Sequence, residues 1–332
     1  MWRLIFLLFF PFALSAQQKR FEFSQNKMGS PFNLIFYHTD SMEATRIANE
    51  CFTIVDSLNN IFSDYSSTSE VGKLASRSLV KDQKVSDELF SMIYWSKQAW
   101  VRSEKTFDVT IGALTQLWRN AKKENRFPDS AEIIKAKQST GFENLIINEK
   151  SRSISFKRPG IRFDFGGIVK GYAAQRVIEY LKNKNILIAL ADAGGDIAMS
   201  DPPPGKNGWS IAINLPEQED ELWDKKLELK GCAVATSGDV YRFTIHNGKK
   251  YSHIIDPRTG YGVTSQRNVT VIAKDGSTAD WLATACSILP ITKALRLAKK
   301  ENAALLIAIL KDEKIITYKT KNFESYFQKK EQ

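Results

Sequence analysis

A strand-like segment that turns at two glycines into a helix-like segment is the feature that most constrains this chain. Apolar residues alternate from 153 to 165 as they do in a β-strand. Beyond Gly166-Gly167, apolar residues recur at the spacing of one helix face, at Val169, Ala173, Val177 and Leu181. The free backbone N–H groups and the dipole at the start of such a helix favour an anion.

Lys170 falls in the first turn of this predicted helix. A cation there is disfavoured by the helix dipole, and a negatively charged ligand would explain it better. The glycine spacing fits neither the P-loop nor the dinucleotide-binding fingerprint. A plain tight turn between strand and helix therefore remains the alternative to an anion site.

The N-terminus has the pattern of a secretory signal peptide. A short basic start precedes an apolar run over 4–14, and small residues follow at Ser15-Ala16. The run is shorter than the about 20 residues that span a bilayer. We therefore expect residues 1–16 to be removed and residues 17–332 to form an exported protein, periplasmic or on the outer face of the inner membrane.

Charge and cysteine content narrow the class of protein. The formal net charge is +10, from 47 basic and 37 acidic residues. The basic residues are scattered and form no stripe with aromatics, so nucleic acid is not an expected partner. A solvated basic surface and attraction of an anionic ligand or a membrane surface both stay open. Only Cys51, Cys232 and Cys286 are present, which argues against a disulfide framework but leaves a single pair possible.

Periodicity predicts a chain of short strands and helices from the mature N-terminus to the end. Helices are predicted over 41–62, 85–102, 131–137, 169–181, 277–287 and 292–301. Strands are predicted over 32–37, 186–190, 209–214, 227–235, 241–246, 250–255, 268–273, 305–311 and 314–319, with a hairpin over 142–156. The strands mostly adjoin by hairpins, so the class is α+β, a single compact unit of mostly antiparallel strands with packed helices.

Two groups of residues carry possible chemistry. Asp280 and Thr284 are four apart on one predicted helix, so their oxygens face the same way and form a set suited to Mg²⁺. The alternative is a helix N-terminal aspartate beside a core threonine. His253 lies three residues before Asp256 at a loop, either as a structural group or as a partner for a phosphate or a proton.

Seven motifs in order resemble the FAD:protein FMN transferases, the ApbE-type flavin transferases. They are Met28-Gly-Ser, Thr106-Phe-Asp-Val-Thr, Asp164-Phe-Gly-Gly-Ile-Val-Lys-Gly-Tyr-Ala, Ala193-Gly-Gly-Asp-Ile, Ala235-Thr-Ser-Gly-Asp, His253-Ile-Ile-Asp-Pro-Arg-Thr-Gly and Thr278-Ala-Asp-Trp-Leu-Ala-Thr-Ala. The resemblance runs from about Met28 to the C-terminus. It implies an enzyme that binds FAD and Mg²⁺, moves FMN onto a Thr or Ser hydroxyl of a target protein and releases AMP.

The resemblance also implies roles for individual residues. Asp280 and Thr284 match side-chain Mg²⁺ ligands, and Gly167 matches a main-chain ligand. The positions expected to contact FAD are Met28, Tyr65, Thr106, Phe107, Asp108, Asp164, Lys170 and His253, with Tyr65 stacking on the isoalloxazine ring. Lys170, His253 and Asp256 are the expected catalytic residues. His253 would help to remove the acceptor proton or organise the phosphate, and Asp256 nearby would orient His253. The expected partners are FAD and an exported or membrane-bound acceptor protein.

Two other functions remain open. An FAD pyrophosphatase would use the same metal site with water as the acceptor and release FMN and AMP. An exported flavin-binding or flavin-storage protein would hold FAD without cleaving it.

Overall fold

A computed structural model describes residues 18–77, 79–213, 225–238, 243–311 and 314–328. The predicted signal peptide, Asp239 and the end of the strand predicted over 209–214 lie outside these residues. The helices are α1 (Ser41–Phe62), α2 (Glu70–Ala75), α3 (Asp87–Arg102), α4 (Gly112–Lys123), α5 (Ser130–Gln138), α6 (Val169–Asn183), α7 (Gly276–Ile288) and α8 (Ile291–Lys300). Two 3-10 helices span Phe142–Asn144 and Lys321–Tyr326.

The strands are β1 (Lys19–Lys27), β2 (Ser30–His38), β3 (Gln83–Lys84), β4 (Leu145–Asn148), β5 (Ser153–Phe156), β6 (Ala189–Asp192), β7 (Ile197–Met199), β8 (Trp209–Ile211), β9 (Leu227–Leu229), β10 (Ala233–Ser237), β11 (Phe243–His246), β12 (Lys249–Ser252), β13 (Arg267–Ala273), β14 (Ala304–Lys311) and β15 (Lys314–Lys319). Eight of them form one sheet in the order β1-β2-β6-β7-β10-β13-β14-β15, and its pairings are antiparallel. Strands β3, β5 and β4 form a smaller sheet, and β8–β9 and β11–β12 are separate hairpins. The α+β class with mostly antiparallel strands is confirmed.

The central sheet is buried on both faces because alternate residues of its strands point to opposite sides. In β14, Leu305 and Ile307 join the core built with α1, α6 and α7, whereas Leu306 joins a second core on the other face. That second core includes Trp209 of the β8–β9 hairpin and Phe323 of the last 3-10 helix. Helices α6 and α7 therefore lie side by side on one face of the sheet, which positions the site described below.

Two predicted strands differ from the structure, and some observed elements were not predicted. The strand predicted over 153–165 ends at Phe156, and the residues before Gly166 make only an isolated bridge between Arg162 and Ile111. Alternation persists there because Ile161, Phe163 and Phe165 are still buried, but their backbones do not continue the ladder. The strand predicted over 227–235 is two strands, β9 and β10, in different sheets. Helices α2 and α4 and strands β1, β3 and β7 were not predicted.

The three cysteines are free thiols, with Cys51 and Cys286 buried and Cys232 half-buried. Within the part of the chain that the structure describes, there is no helix of the length and apolarity needed to cross a membrane.

Candidate active site

Two glycines allow α6 and α7 to touch backbone to backbone. A Cβ on Gly171 would lie 2.1 Å from the carbonyl oxygen of Gly276, and a Cβ on Gly276 would lie 2.0 Å from that of Gly171. Any larger residue at either position would force the helices apart. Their close crossing brings Asp280 and Thr284 of α7 to the start of α6, beside Gly167 and Lys170.

Asp280 closes the N-terminus of α6. Its Oδ2 accepts the backbone N–H of Gly171 at 3.0 Å, which satisfies one of the free donors in the first turn of that helix. The side chain is buried, with the residue 5% exposed. Burial raises the pKa of Asp280 to about 7, although the Gly171 N–H and the charge of Lys170 act in the opposite direction. Because the negative charge of this buried carboxylate is costly, the site is suited to a second cation besides Lys170.

Thr284 lies one helical turn beyond Asp280 and faces Gly167. A Cβ on Gly167 would lie 2.7 Å from Oγ1 of Thr284, so only glycine allows this approach. The structure thus brings together the carboxylate, the hydroxyl and the main chain expected to hold Mg²⁺, all of them hard oxygen donors. No three His, Cys, Asp or Glu side chains among the described residues form a metal-binding group. The residues present fit an ion that takes few protein ligands and keeps water or phosphate oxygens, as Mg²⁺ does.

The start of α6 at Gly167–Gly171, together with Asp280 and Thr284 of α7, forms a corner. Lys170 and Asp196 extend this corner towards the Gly194-Gly195 turn. The Nζ of Lys170 lies 3.6 Å from where a Cβ on Gly194 would be. Burial, and then the neighbouring Asp280 carboxylate, raise the pKa of Asp196 well above its usual value, while Lys170 lowers it. Asp192 adds a further negative charge, and its Oδ1 accepts the N–H of Gly195 at 2.7 Å. Lys170 therefore lies among three acids, of which Asp280 is buried and Asp192 and Asp196 are half-buried.

The turn between β1 and β2 reaches the same corner. Met28 and Gly29 have φ angles of 51° and 76°, as a two-residue hairpin turn requires. Ser30 follows and lies close to Gly194, since a Cβ added to Gly194 would be 2.6 Å from Oγ of Ser30. Met28, expected to contact FAD, is half-buried at this end of the hairpin.

Asp164 and the loop that carries Tyr65 both lie near the start of α6. Oδ1 of Asp164 accepts the N–H of Gly166 at 2.9 Å, which fixes the start of the glycine turn. The ring of Phe62 packs on that of Phe165 with centroids 5.3 Å apart, so the loop after α1 lies over the turn. Tyr65 in that loop is 80% exposed. The structure therefore leaves an exposed aromatic ring close to the corner.

The Thr106-Phe107-Asp108 segment is buried. Oδ1 of Asp108 accepts the N–H and the hydroxyl of Thr110 at 2.8 and 2.6 Å, and burial raises the pKa of Asp108 to about 6. Phe107 packs on Trp281, the neighbour of Asp280, with ring centroids 5.9 Å apart. The contact of these three residues with FAD stays a prediction.

His253 and Asp256 lie on the loop that follows β12. His253 is exposed, and the carboxylate of Asp256 is held by Arg258, whose Nε and Nη2 donate to it at 2.9 and 2.7 Å. That Asp256 orients His253 stays a prediction. A cavity of about 500 Å³ opens beside Asp256 and is lined also by Tyr251, Tyr261 and Arg267.

Sequence reasoning missed several residues at the corner. Asp196 belongs to the Ala193-Gly-Gly-Asp-Ile motif but was predicted no role, although its place after Gly194-Gly195 at the end of a strand was a signal. Arg119 was missed with helix α4, whose buried Leu114, Trp118 and Ala121 repeat at helical spacing. The contact between Gly171 and Gly276 had no sequence signal, because neither residue indicates its partner.

Known proteins share this arrangement of sheet and helices. The solved ApbE protein of Thermotoga maritima is 29% identical and superposes with a TM-score of 0.83 over 94% of this chain and 100% of its own. The flavinyl transferase ApbE of Pseudomonas stutzeri, in its apo form, is 28% identical with a TM-score of 0.82 over 94% of this chain and 98% of its own. The architecture is that of the solved ApbE proteins.

The sequence comparison agrees. An FAD:protein FMN transferase of Klebsiella pneumoniae is 28% identical over 297 residues, which cover 89% of this chain and 91% of that protein. The sequence model of the ApbE family matches residues 28–307. The chain belongs to the ApbE family.

Proposed function

We propose that this chain is an FAD:protein FMN transferase, which moves the FMN moiety of FAD onto a Thr or Ser hydroxyl of a target protein and releases AMP. Its relatives carry that name. The observation that carries the proposal is the packing of Asp280 and Thr284 against the Gly167–Gly171 start of α6. A buried acid, a hydroxyl and a helix N-terminus together form a site for a divalent ion and a diphosphate.

The chain's own residues would bind and orient the diphosphate of FAD. The positive end of the α6 dipole and the charge of Lys170 would stabilise the negative charge that develops on the phosphoryl oxygens. Asp280, Thr284 and the main chain of Gly167 would hold Mg²⁺, which when bound neutralises charge on the same oxygens. Tyr65 would contribute to binding of the flavin ring more than to chemistry.

The acceptor hydroxyl has to lose its proton as it attacks the phosphorus that bears the FMN group. His253 is exposed to solvent on the loop after β12, where an incoming protein can reach it. We assign it the removal of that proton or the organisation of the phosphate. The ion pair between Asp256 and Arg258 fixes the loop, so a change at Asp256 should act through the placement of His253.

The test is to incubate the protein with FAD, Mg²⁺ and a candidate acceptor and to look for flavin fluorescence in the acceptor band of a denaturing gel. Asp280→Ala should abolish the fluorescent band, and Asp275→Asn, which changes the cap of the same helix, serves as the matched control. Free FMN and AMP with no labelled protein would indicate an FAD pyrophosphatase. FAD that survives long incubation with Mg²⁺ uncleaved would indicate a flavin-binding protein. Full activity of Asp280→Ala would remove the metal assignment.

We also propose that the protein acts outside the cytoplasm, on an acceptor that is exported or membrane-bound. The basis is the signal-like pattern of residues 1–16. Fractionation of cells followed by N-terminal sequencing should find a mature chain that begins near residue 17. A full-length chain in the cytoplasmic fraction would contradict this.

A further inference from the structure

One face of the exposed Tyr65 ring is covered by an arginine from another helix. The guanidinium carbon of Arg119 lies 4.3 Å from the centroid of the ring. Since Tyr65 is 80% exposed, its other face is open to solvent. A ring with one face held by a cation and the other face open can receive a flat ligand.

Arg119 is itself held in place. Its Nη2 donates to Oδ2 of Asp64, the residue next to Tyr65, and its Nε donates to the carbonyl oxygen of Thr115 at 3.3 Å. The side chains of Arg119 and Asp64 are 28% and 14% exposed, so their ion pair is partly shielded from water. The guanidinium therefore has one fixed orientation against the Tyr65 ring.

Helix α4 gives Arg119 a rigid base. The neighbouring Trp118 is buried and donates its Nε1–H to the carbonyl oxygen of Gly260 at 2.9 Å. Leu114, one turn earlier, is fully buried. Tyr65, in contrast, belongs to a polar loop, so the orientation of its ring depends on its contact with Arg119 of α4.

The same group of charges connects the ring to the glycine corner. Burial, and then the charge of Asp164, raise the pKa of Asp64, while Arg119 lowers it. Asp164 also contributes to the electrostatic environment of Arg119. Arg119 is therefore close both to the loop that carries Tyr65 and to Asp164, which precedes the turn that begins α6.

We propose that Arg119 is a positioning residue for the flavin: it holds the Tyr65 ring so that the open face of that ring receives the isoalloxazine of FAD. The inference rests on the proposed function and adds a residue to its binding site. An unrestrained tyrosine would have to be ordered when FAD binds, which costs affinity without changing the chemical step. Replacement of Arg119 is expected to raise KM for FAD and to leave kcat unchanged.

A double-mutant cycle tests the inference. FAD is titrated, with EDTA present to prevent turnover, into wild type, Arg119→Ala, Tyr65→Ala and the double variant, and flavin fluorescence is followed. Arg119→Ala should raise the Kd for FAD roughly two- to tenfold, the scale of ordering one side chain. In the Tyr65→Ala background the same change should have no further effect, because the ring on which Arg119 acts is gone.

Further variants separate the orientation of the Tyr65 ring from a general effect of charge or stability. Arg119→Lys keeps the charge and should restore part of the affinity, and Asp64→Asn, which weakens the anchor of Arg119, should shift the Kd in the same direction as Arg119→Ala. Arg126→Ala is the matched control, since this arginine pairs with Glu124 and Glu132 on the surface and should leave the Kd unchanged. Urea unfolding of each variant shows whether it retains the wild-type stability.

Two results would overturn the inference while leaving the proposed function intact. The first is wild-type affinity in Arg119→Ala together with weakened binding in Tyr65→Ala. The second is an equal loss from Arg119→Ala in both backgrounds, which would mean that Arg119 contacts FAD directly or supports the fold. A wild-type protein that binds no FAD would overturn the proposed function and this inference with it.

Discussion

Gly171→Ala tests whether the crossing of α6 and α7 builds the site. The added Cβ would lie 2.1 Å from the carbonyl oxygen of Gly276 and 2.9 Å from Cβ of Asp280, so the helices would have to separate. Overpacking of this kind costs about 1 to 3 kcal/mol. Loss of the hydrogen bond from the Gly171 N–H to the Asp280 carboxylate would add about 1.5 to 3 kcal/mol. Alanine in place of glycine returns about 1 kcal/mol of helix propensity.

The sum is a loss of roughly 1.5 to 5 kcal/mol in the free energy of unfolding. Urea unfolding followed by circular dichroism measures it, and the gel assay for flavin transfer measures activity without urea, at a temperature where the variant is folded. Activity should fall with stability, because Asp280 moves away from the start of α6. Lys182→Ala, on the exposed side of the same helix, is the control and should change stability by less than about 0.5 kcal/mol. A Gly171→Ala protein as stable and as active as wild type would refute the reasoning.

Three further predictions concern oxygen-bearing side chains at or near the site. The pKa of Asp108 is raised from 3.8 to about 6, so the folded protein holds this proton more tightly than the unfolded chain. The resulting contribution to the free energy of unfolding, about 3 kcal/mol, is fully present below pH 3.8 and is lost as pH rises to about 6. Asp108→Asn should flatten the stability–pH curve in this window. In thermal unfolding, saturating Mg²⁺ at about 100 times its Kd should stabilise wild type by about 2.7 kcal/mol, and Asp280→Asn should not respond. Thr284→Val keeps the shape of the side chain but removes its oxygen, so titration calorimetry should show Mg²⁺ binding weaker by roughly tenfold or more with the fold retained.

The helices with a clear apolar face could be predicted closely from the sequence. Helix α1 was predicted over 41–62 and is observed as Ser41–Phe62, because Asp40 caps its first turn and buried residues repeat along it. Strand β15 was predicted over 314–319 and is observed there. Local patterns were sufficient where one face of an element is buried and the other is not.

Elements without such a pattern were predicted less well. The burial of Ile161, Phe163 and Phe165 imitates the alternation of a strand, but among the described residues this segment makes one isolated bridge, between Arg162 and Ile111. Helix α4 begins directly after a buried segment and its second half is polar, which concealed its period. Which strands pair across the sheet, such as β10 with β7 and β13, depends on contacts between distant parts of the chain.

Some residues of the candidate site could likewise be predicted from local sequence patterns, and others could not. Asp280, Thr284 and the Gly166-Gly167 turn could be found because they belong to motifs or to one helix face. Arg119 and Asp64 become part of the site only through an ion pair across 55 positions of sequence. The role of Gly276 comes from its contact with the backbone of Gly171, which cannot be predicted from the sequence alone.

The hydrogen bond that joins Gly171 to Asp280 spans 109 positions of the chain. Bringing such distant residues together has to overcome the entropy of closing a long loop, so contacts of this kind are expected late in folding. A chain in which α7 has not yet docked has the glycine turn and Lys170 but neither Asp280 nor Thr284 in place. The proposed reaction with FAD would then begin only when folding is almost finished, and a partly folded chain would not consume its substrate.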